Sequence, residues 1–282
     1  MTTAFLILSI SSVVLQNGIF NSVCKKHLKT NDSIYKYNIF VYAVCILIFG
    51  ILTLNGSLSL YTVLLGVLFG VVTALSNLYK MLALSKGPMH ITLLITTSSM
   101  IIPTLSGVFF GEKFSLLKLI VVFILIYFIY LSVGKLNDSK INKSWVIYCL
   151  FTFVLMGSIG VIQKIHQTSV HKSEISGFLF VSFFISLIVS GLRIKEKRSF
   201  KVSPKLIPLA LVCGVCTFAM NFINLKLSGL LPSQLFFPLV NGSAIVLSSA
   251  MSVVLFKEHL SKKQTIGLIG GIASLIAICL VP

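Results

Sequence analysis

Carboxylates are scarce in this chain. Six Asp and Glu stand among 282 residues, against 23 Lys and Arg, and charged residues make up 10% of the whole. A soluble domain is nearer a quarter charged. The six are Asp32, Glu112, Asp138, Glu174, Glu196 and Glu258, and none lies in the interior of a long apolar run. An embedded enzyme needs an acid/base pair or a metal constellation. The five histidines fall at the ends of apolar runs or between them, and Cys213-x-x-Cys216 has metal or redox spacing without a histidine nearby. No Asp-rich phosphate motif, serine elbow or nucleotide loop is present. The sequence therefore predicts no enzyme, no metal and no cofactor. A basic n-region is also missing from Met1-Thr2-Thr3, so no cleaved signal peptide is expected.

Apolar sequence is abundant. Hydrophobic residues make up 56% and mean hydropathy is +1.03. Ten apolar runs of about twenty residues, the length that crosses about 30 Å of hydrocarbon, cover roughly 4–24, 35–54, 60–84, 88–110, 116–134, 145–164, 174–192, 205–227, 230–256 and 263–281. These predict an all-α integral membrane protein with ten transmembrane helices.

The polar residues inside the runs fall in stripes. Thr92, Thr96, Ser99, Pro103 and Ser106 step by four, three, four and three, which is one face of a helix. Thr73, Asn77 and Lys80 form a stripe on the helix before. Asn17, Asn21 and Lys25 do so on the first, and Gly157, Gly160 and Lys164 on the sixth, where Gln163 precedes the lysine. The eighth carries Thr217, Asn221 and Asn224, and the ninth Gln234, Pro238, Asn241, Ser248 and Ser252. Lipid penalises such groups, so they should face protein or a water-filled cavity. Packing between helices is the alternative, since Ser and Thr commonly glue membrane helices together. Pro103 removes the donor that would bond the Ser99 carbonyl and should kink its helix. Gly267-x-x-x-Gly271 in the tenth is a close-packing pattern, within the monomer or between two copies.

The chain repeats itself at an offset of 144. Gly70-Val71-x-Thr73-x-x-x-Asn77 matches Gly214-Val215-x-Thr217-x-x-x-Asn221, and Pro88 matches Pro232. After a two-residue slip, Glu112-x-x-Ser115 matches Glu258-x-x-Ser261. This predicts a duplication, residues 1–136 and 137–282, each holding five helices. An odd number inverts one half against the other, giving two inverted five-helix repeats with a shared polar cavity at their interface.

A Gly-Pro hairpin leading to an internal proline and a Gly-Glu end, present in degraded form in both halves of a chain of this length, resembles the drug/metabolite transporter superfamily, in its ten-helix, EamA-like branch. The first helix lacks the family's frequent Trp-Gly pair, although Gly18 and Lys25 sit where a glycine and a lysine are often found, and Leu231-Pro232 replaces the second Gly-Pro. The resemblance implies secondary transport, with export of a small polar or amphipathic metabolite or drug by alternating access at the plasma membrane, by a monomer or homodimer. A sensor, a scaffold or a lipid scramblase is the alternative.

From the stripes and the repeat, substrate-binding residues are expected at Asn17, Asn21, Thr73, Asn77, Lys80, Thr96, Ser99, Gln163, Asn221, Asn224, Gln234 and Asn241. Pro103 and Pro238 are candidate hinges. Glu112 and Glu258 are either structural turns or gates. With no carboxylate inside a span, exchange of a proton for a cation has no carrier. Lys25, Lys80, Lys164 and Lys226 are the cationic groups near the polar faces and favour a neutral, zwitterionic or anionic substrate. Tyr79 leaves a cationic one open through its ring face.

Of the 23 Lys and Arg, 18 lie on the connections after helices one, three, five, seven and nine. The positive-inside rule puts those connections in the cytoplasm and both termini outside. The resemblance implies the reverse, both termini inside. The net charge of +17 fits a face against anionic headgroups. Nucleic-acid binding is not expected, because no soluble domain exists to carry it.

Overall fold

The computed structural model describes residues 2–28, 30–54, 56–87, 89–113, 115–133, 143–194, 204–256 and 261–281, with side chains at all of these except 89–91, 132–133, 205, 248–256 and 264. Pro88, Glu258 and most of the basic run 193–205 lie outside the described residues. So do the side chains of Ser248 and Ser252.

The described chain is all-helical. We number its ten helices α1 (Thr2–Lys26), α2 (Asn31–Thr53), α3 (Leu60–Lys86), α4, α5 (Leu116–Val133), α6 (Lys143–Thr168), α7 (Ile175–Arg193), α8 (Ile207–Leu230), α9 (Ser233–Phe256) and α10 (Lys262–Leu280). Helix α4 is a composite: α-helix over Met89–Thr97, a 3-10 turn at Ser98–Met100, α-helix over Ile101–Ser106 and a second 3-10 turn at Gly107–Phe110. Seven helices are long and apolar enough to cross a membrane, and Leu116–Leu131, Ser233–Leu247 and Thr265–Leu280 are shorter apolar stretches. The protein is a multi-pass membrane protein.

Two apolar cores hold the bundle. One gathers α2, α3, α7 and α8 with the end of α1, where the Phe49 ring stacks on Phe183 at 5.8 Å and tilts against Phe218 at 4.9 Å. The other gathers α4, α5, α6, α9 and α10. The pairings are reciprocal when each helix is matched with the one five places on. Helix α2 packs on α7 and α5 on α10. The contact of α3 with α6 is mirrored by α8 with α1, and that of α3 with α7 by α8 with α2. Close packing relies on small residues. A side chain at Gly70 would meet the Ser182 carbonyl and Ile185 of α7. Gly271 packs on Val246 of α9 and Gly270 under the Phe128 ring of α5, so the glycine-rich face of α10 is used within the monomer.

The outer face is apolar. Leu116, Leu117, Ile120, Phe123, Ile124, Tyr127 and Tyr130 on α5 are exposed at helical spacing, as are Ile266, Ile269, Ile272 and Ile276 on α10. These stripes suit lipid and explain why the two helices have few polar residues.

Candidate functional site

The connections after α2, α4, α6 and α8 meet at one end of the bundle. There α4 stops in a left-handed cap. Gly111 has φ of 72°, and the amides of Gly111 and Glu112 bond the carbonyls of Val108 and Gly107 at 3.2 Å each. This is the Schellman pattern, which glycine closes without a steric penalty. The cap aims Glu112 across the bundle. Its Oε2 accepts from the Ser233 amide at 2.7 Å, at the first turn of α9, and its Oε1 from the Ser233 hydroxyl at 3.2 Å. A carboxylate is stabilised there by the orphan amides and the helix dipole. Glu112 also pairs with Lys164 of α6. Lys164 Nζ donates to the carbonyls of Ser228 at 2.8 Å and Leu231 at 3.3 Å, at the end of α8. Next to this pair the Gln234 amide accepts from the Ser115 N–H at 3.0 Å and donates to the Ser115 carbonyl at 3.3 Å. A few side chains thus tie α4, α5, α6, α8 and α9 together.

A second carboxylate does the same on the neighbouring connections. Glu174, the N-cap residue of α7, accepts from the Ser59 amide at 2.9 Å and the Ser59 hydroxyl at 2.8 Å, where Ser59 caps α3. His171 Nδ1 lies 3.4 Å from its other oxygen. Burial raises the pKa of Glu174, but hydrogen bonds from Thr62, Ser59 and His171 outweigh it and hold the carboxyl at about 2.

The interior is organised around Lys80. Its Nζ donates to Asn17 Oδ1 of α1 at 2.7 Å and lies 5.8 Å from the centre of the Phe20 ring. That ring meets Tyr37 of α2 edge-on at 6.3 Å. Cys24 and Cys213, both buried, complete the surroundings, so α1, α2, α3 and α8 all contribute. Several polar atoms in these helices are buried without a hydrogen-bond partner: Asn21 Oδ1, both ends of the Asn38 amide and the Thr73 hydroxyl. Farther along α1, Gln16 Nε2 donates to Thr217 Oγ1 at 2.6 Å and Ser9 Oγ to Asn224 Oδ1 at 2.5 Å. Asn77 Nδ2 donates to the Tyr42 hydroxyl at 2.9 Å.

The expected site residues therefore divide. Asn17, Asn21, Thr73, Asn77, Lys80, Asn221 and Asn224 line the α1–α2–α3–α8 interior, where Asn221 bonds the Thr217 carbonyl of its own helix at 2.8 Å. Gln234 stands at the capped end. Thr96 and Asn241 bond carbonyls of their own helices at 3.3 Å and 3.0 Å, while Ser99 and Gln163 are buried. Ser9, Gln16, Tyr37, Asn38 and Tyr42 join the interior without having been read from the sequence. Gln16 precedes Asn17 and lies off the stripe of Asn17, Asn21 and Lys25, and the tyrosines of α2 form no stripe with it. Pro103 packs with Phe237 on the small face of α6 at Gly160. An apolar groove of about 550 Å³ opens between α4, α5 and α6, lined by Ser98, Phe123, Tyr127, Tyr130 and Leu150 among others.

No family model matches the chain, and no curated protein matches it. One solved crystal structure of a protein is similar to it throughout, covering 99% of this chain and 99% of its own with a TM-score of 0.71 at 14% identity. That likeness establishes a shared fold.

Proposed function

We propose that this chain is a secondary transporter of the drug/metabolite transporter superfamily, EamA-like, with ten membrane spans in two inverted five-helix repeats. It exports a small polar or amphipathic metabolite or drug across the plasma membrane by alternating access. The observation that carries this reading is the placement of the polar stripes of α1, α3 and α8. Lys80 meets Asn17, Gln16 meets Thr217 and Ser9 meets Asn224 inside the protein, away from lipid. Membrane proteins keep costly interior polar groups chiefly where something polar must pass or bind.

The reciprocal packing of the helices supports the repeat. So do the caps. Thr30 and Glu174, at the 144-residue offset, are the N-cap residues of α2 and α7, and Gly87 and Leu231 are the C-cap residues of α3 and α8. Alternating access then rocks one half against the other around the interior site. The ties at Glu112 and Lys164 act as the gate at the capped end, with Pro103 and Pro238 as hinges.

The test is counterflow in proteoliposomes of the purified chain, screened with a mixture of polar metabolites. Asn77→Ala and Asn221→Ala should lower the uptake rate of any positive compound by about 10-fold or more, consistent with 1–3 kcal/mol for an unpaired buried partner, at unchanged expression. Normal rates in both variants would remove these amides from the site, and an empty screen would favour the sensor, scaffold or scramblase reading.

A further inference from the structure

We infer that Lys80 is the anchor for a carboxylate or phosphate on the substrate, so that the transported compound carries a negative group. This rests on the transport reading and names its substrate class.

Four lysines stand near the polar faces, and the structure sorts them. Lys25 is exposed at the end of α1. Lys226 is exposed and lies 5.4 Å from the centre of the Phe5 ring. Lys164 is buried but ion-paired with Glu112 and bonded to two carbonyls. Only Lys80 is buried, with 6% of its surface exposed, and has no carboxylate partner among the described residues.

An ammonium has three donors. Asn17 takes one, and the Phe20 face adds a weak attraction. Burying such a charge in isolation is strongly unfavourable. The chain is poorly supplied to meet that cost. Glu112 is committed to Lys164 and Ser233, and Glu174 to Ser59 and His171. Asp32 lies in the first turn of α2, and Asp138, Glu196 and Glu258 fall between the apolar runs. Among the described residues no carboxylate neutralises Lys80, and a negative group on a ligand would do so.

The neighbours suit the remainder of such a ligand. Tyr37 flanks the same Phe20 ring as Lys80, and its hydroxyl stands beside the Cys213 thiol. Asn38, 1% exposed, leaves both a donor and an acceptor unused. Asn21 follows Asn17 by one turn and offers another acceptor. Buried polar groups are nearly always satisfied, and a cluster of exceptions within one set of helices marks a place where something else satisfies them. A cation in one set of helices with a spare amide donor and two spare amide acceptors fits an anionic head joined to a polar body.

The experiment uses the full chain in lipid nanodiscs and four probes with one phenyl body: phenylacetate, phenyl phosphate, phenylacetamide and phenethylammonium. Thermal unfolding and calorimetric titration are read for wild type, Lys80→Met and Lys80→Arg. We expect at least one of the two anions to bind and raise the unfolding midpoint, the amide and the ammonium to do neither, and Lys80→Met to weaken anion binding by about 10- to 100-fold. The two anionic arms tell a carboxylate site from a phosphate site. Lys80→Met removes a buried charge for an apolar chain of similar length, so it should fold and should be no less stable without probe. Lys80→Arg should retain anion binding. Anion binding unchanged in Lys80→Met, or no binding of either anion, overturns the assignment. Anion binding that depends on Lys80 but no uptake of the same anion into proteoliposomes would keep the site and refute transport. Uptake of the neutral amide untouched by Lys80→Met would keep transport and refute the site.

Discussion

At the scale of single residues, the carboxylates are used as bridges between helix starts and the rest of the bundle, and this makes one of them a pH sensor of stability. Glu174 serves two helix N-termini, its own and that of α3 through Ser59. Its folded pKa of about 2 lies below its ordinary value of 4.5. A depressed carboxyl stabilises the fold fully above the unfolded value and loses that contribution as pH falls through the folded one. The unfolding midpoint of the detergent-solubilised protein should therefore gain an acid-limb slope between about pH 4.5 and about 2 from this group. Glu174→Gln should be less stable than wild type at neutral pH, and the two curves should converge in acid. Scanning fluorimetry across the range decides it, and parallel curves would remove the carboxylate from this role. None of this was legible beforehand: Glu174 sits at the edge of an apolar run, and its partner Ser59 is 115 residues away. By contrast Asn17, Lys80 and Thr217 were legible, because the spacing of polar groups on an apolar helix reports which face avoids lipid. Spacing names the face and not the partner. That is why Gln234 was expected at the interior site and in fact bridges Ser115 at the capped end.

At the scale of elements, the motifs Gly87-Pro88 and Gly111-Glu112 have separate physical causes. Gly87 is extended, with φ of −137°, so it is required for space: a side chain there would run into the Trp145 ring, whose Nε1 donates to Thr92 Oγ1 at 2.9 Å. At the matching cap of α8 the residue is Leu231. The break in α4 was expected at Pro103 and lies one turn earlier, at Ser98–Met100, in the 3-10 geometry that accommodates a missing bond to the Ser99 carbonyl. Glu112 was read as either turn or gate, and it is first of all a tie between α4, α6 and α9. Removing one partner of a buried ion pair leaves the other uncompensated, at about 3–5 kcal/mol. Glu112→Gln and Lys164→Met should each destabilise strongly. The double variant should lose less than the sum by about 1–3 kcal/mol, because the stranded charge is gone. Reversible SDS unfolding of the four proteins in mixed micelles measures the coupling. Additive losses, within about 0.5 kcal/mol, would show that the pair does not act as a unit.

At the scale of the whole molecule, the sequence carries polar residues that recur at an offset of 144, while the two cores and the reciprocal helix pairs needed the fold. Orientation in the membrane follows from combining the two. The capped end gathers the connections after α2, α4, α6 and α8, which hold the paired carboxylates Glu112 and Glu174 and only five of the 23 Lys and Arg. In the sequence the other 18 fall on or beside the connections after the odd-numbered helices, and 17 remain when the interior Lys80 is set aside. Each Lys or Arg near an anionic leaflet is worth about 1 kcal/mol, and basic connections resist translocation. The capped end and both termini should therefore face outward, against the arrangement usual for the superfamily this chain resembles. Among the described cysteines Cys279 is the exposed one and the other five are buried, so a Cys279→Ala background gives a low labelling blank. Lys172 lies on the connection after α6 and Lys26 at the end of α1, both exposed. In that background Lys172→Cys should react with a membrane-impermeant maleimide on intact cells, and Lys26→Cys only after permeabilisation. The opposite pattern would place both termini in the cytoplasm and show that the charge count does not set the topology. Labelling of both sites on intact cells would mean that the chain inserts both ways.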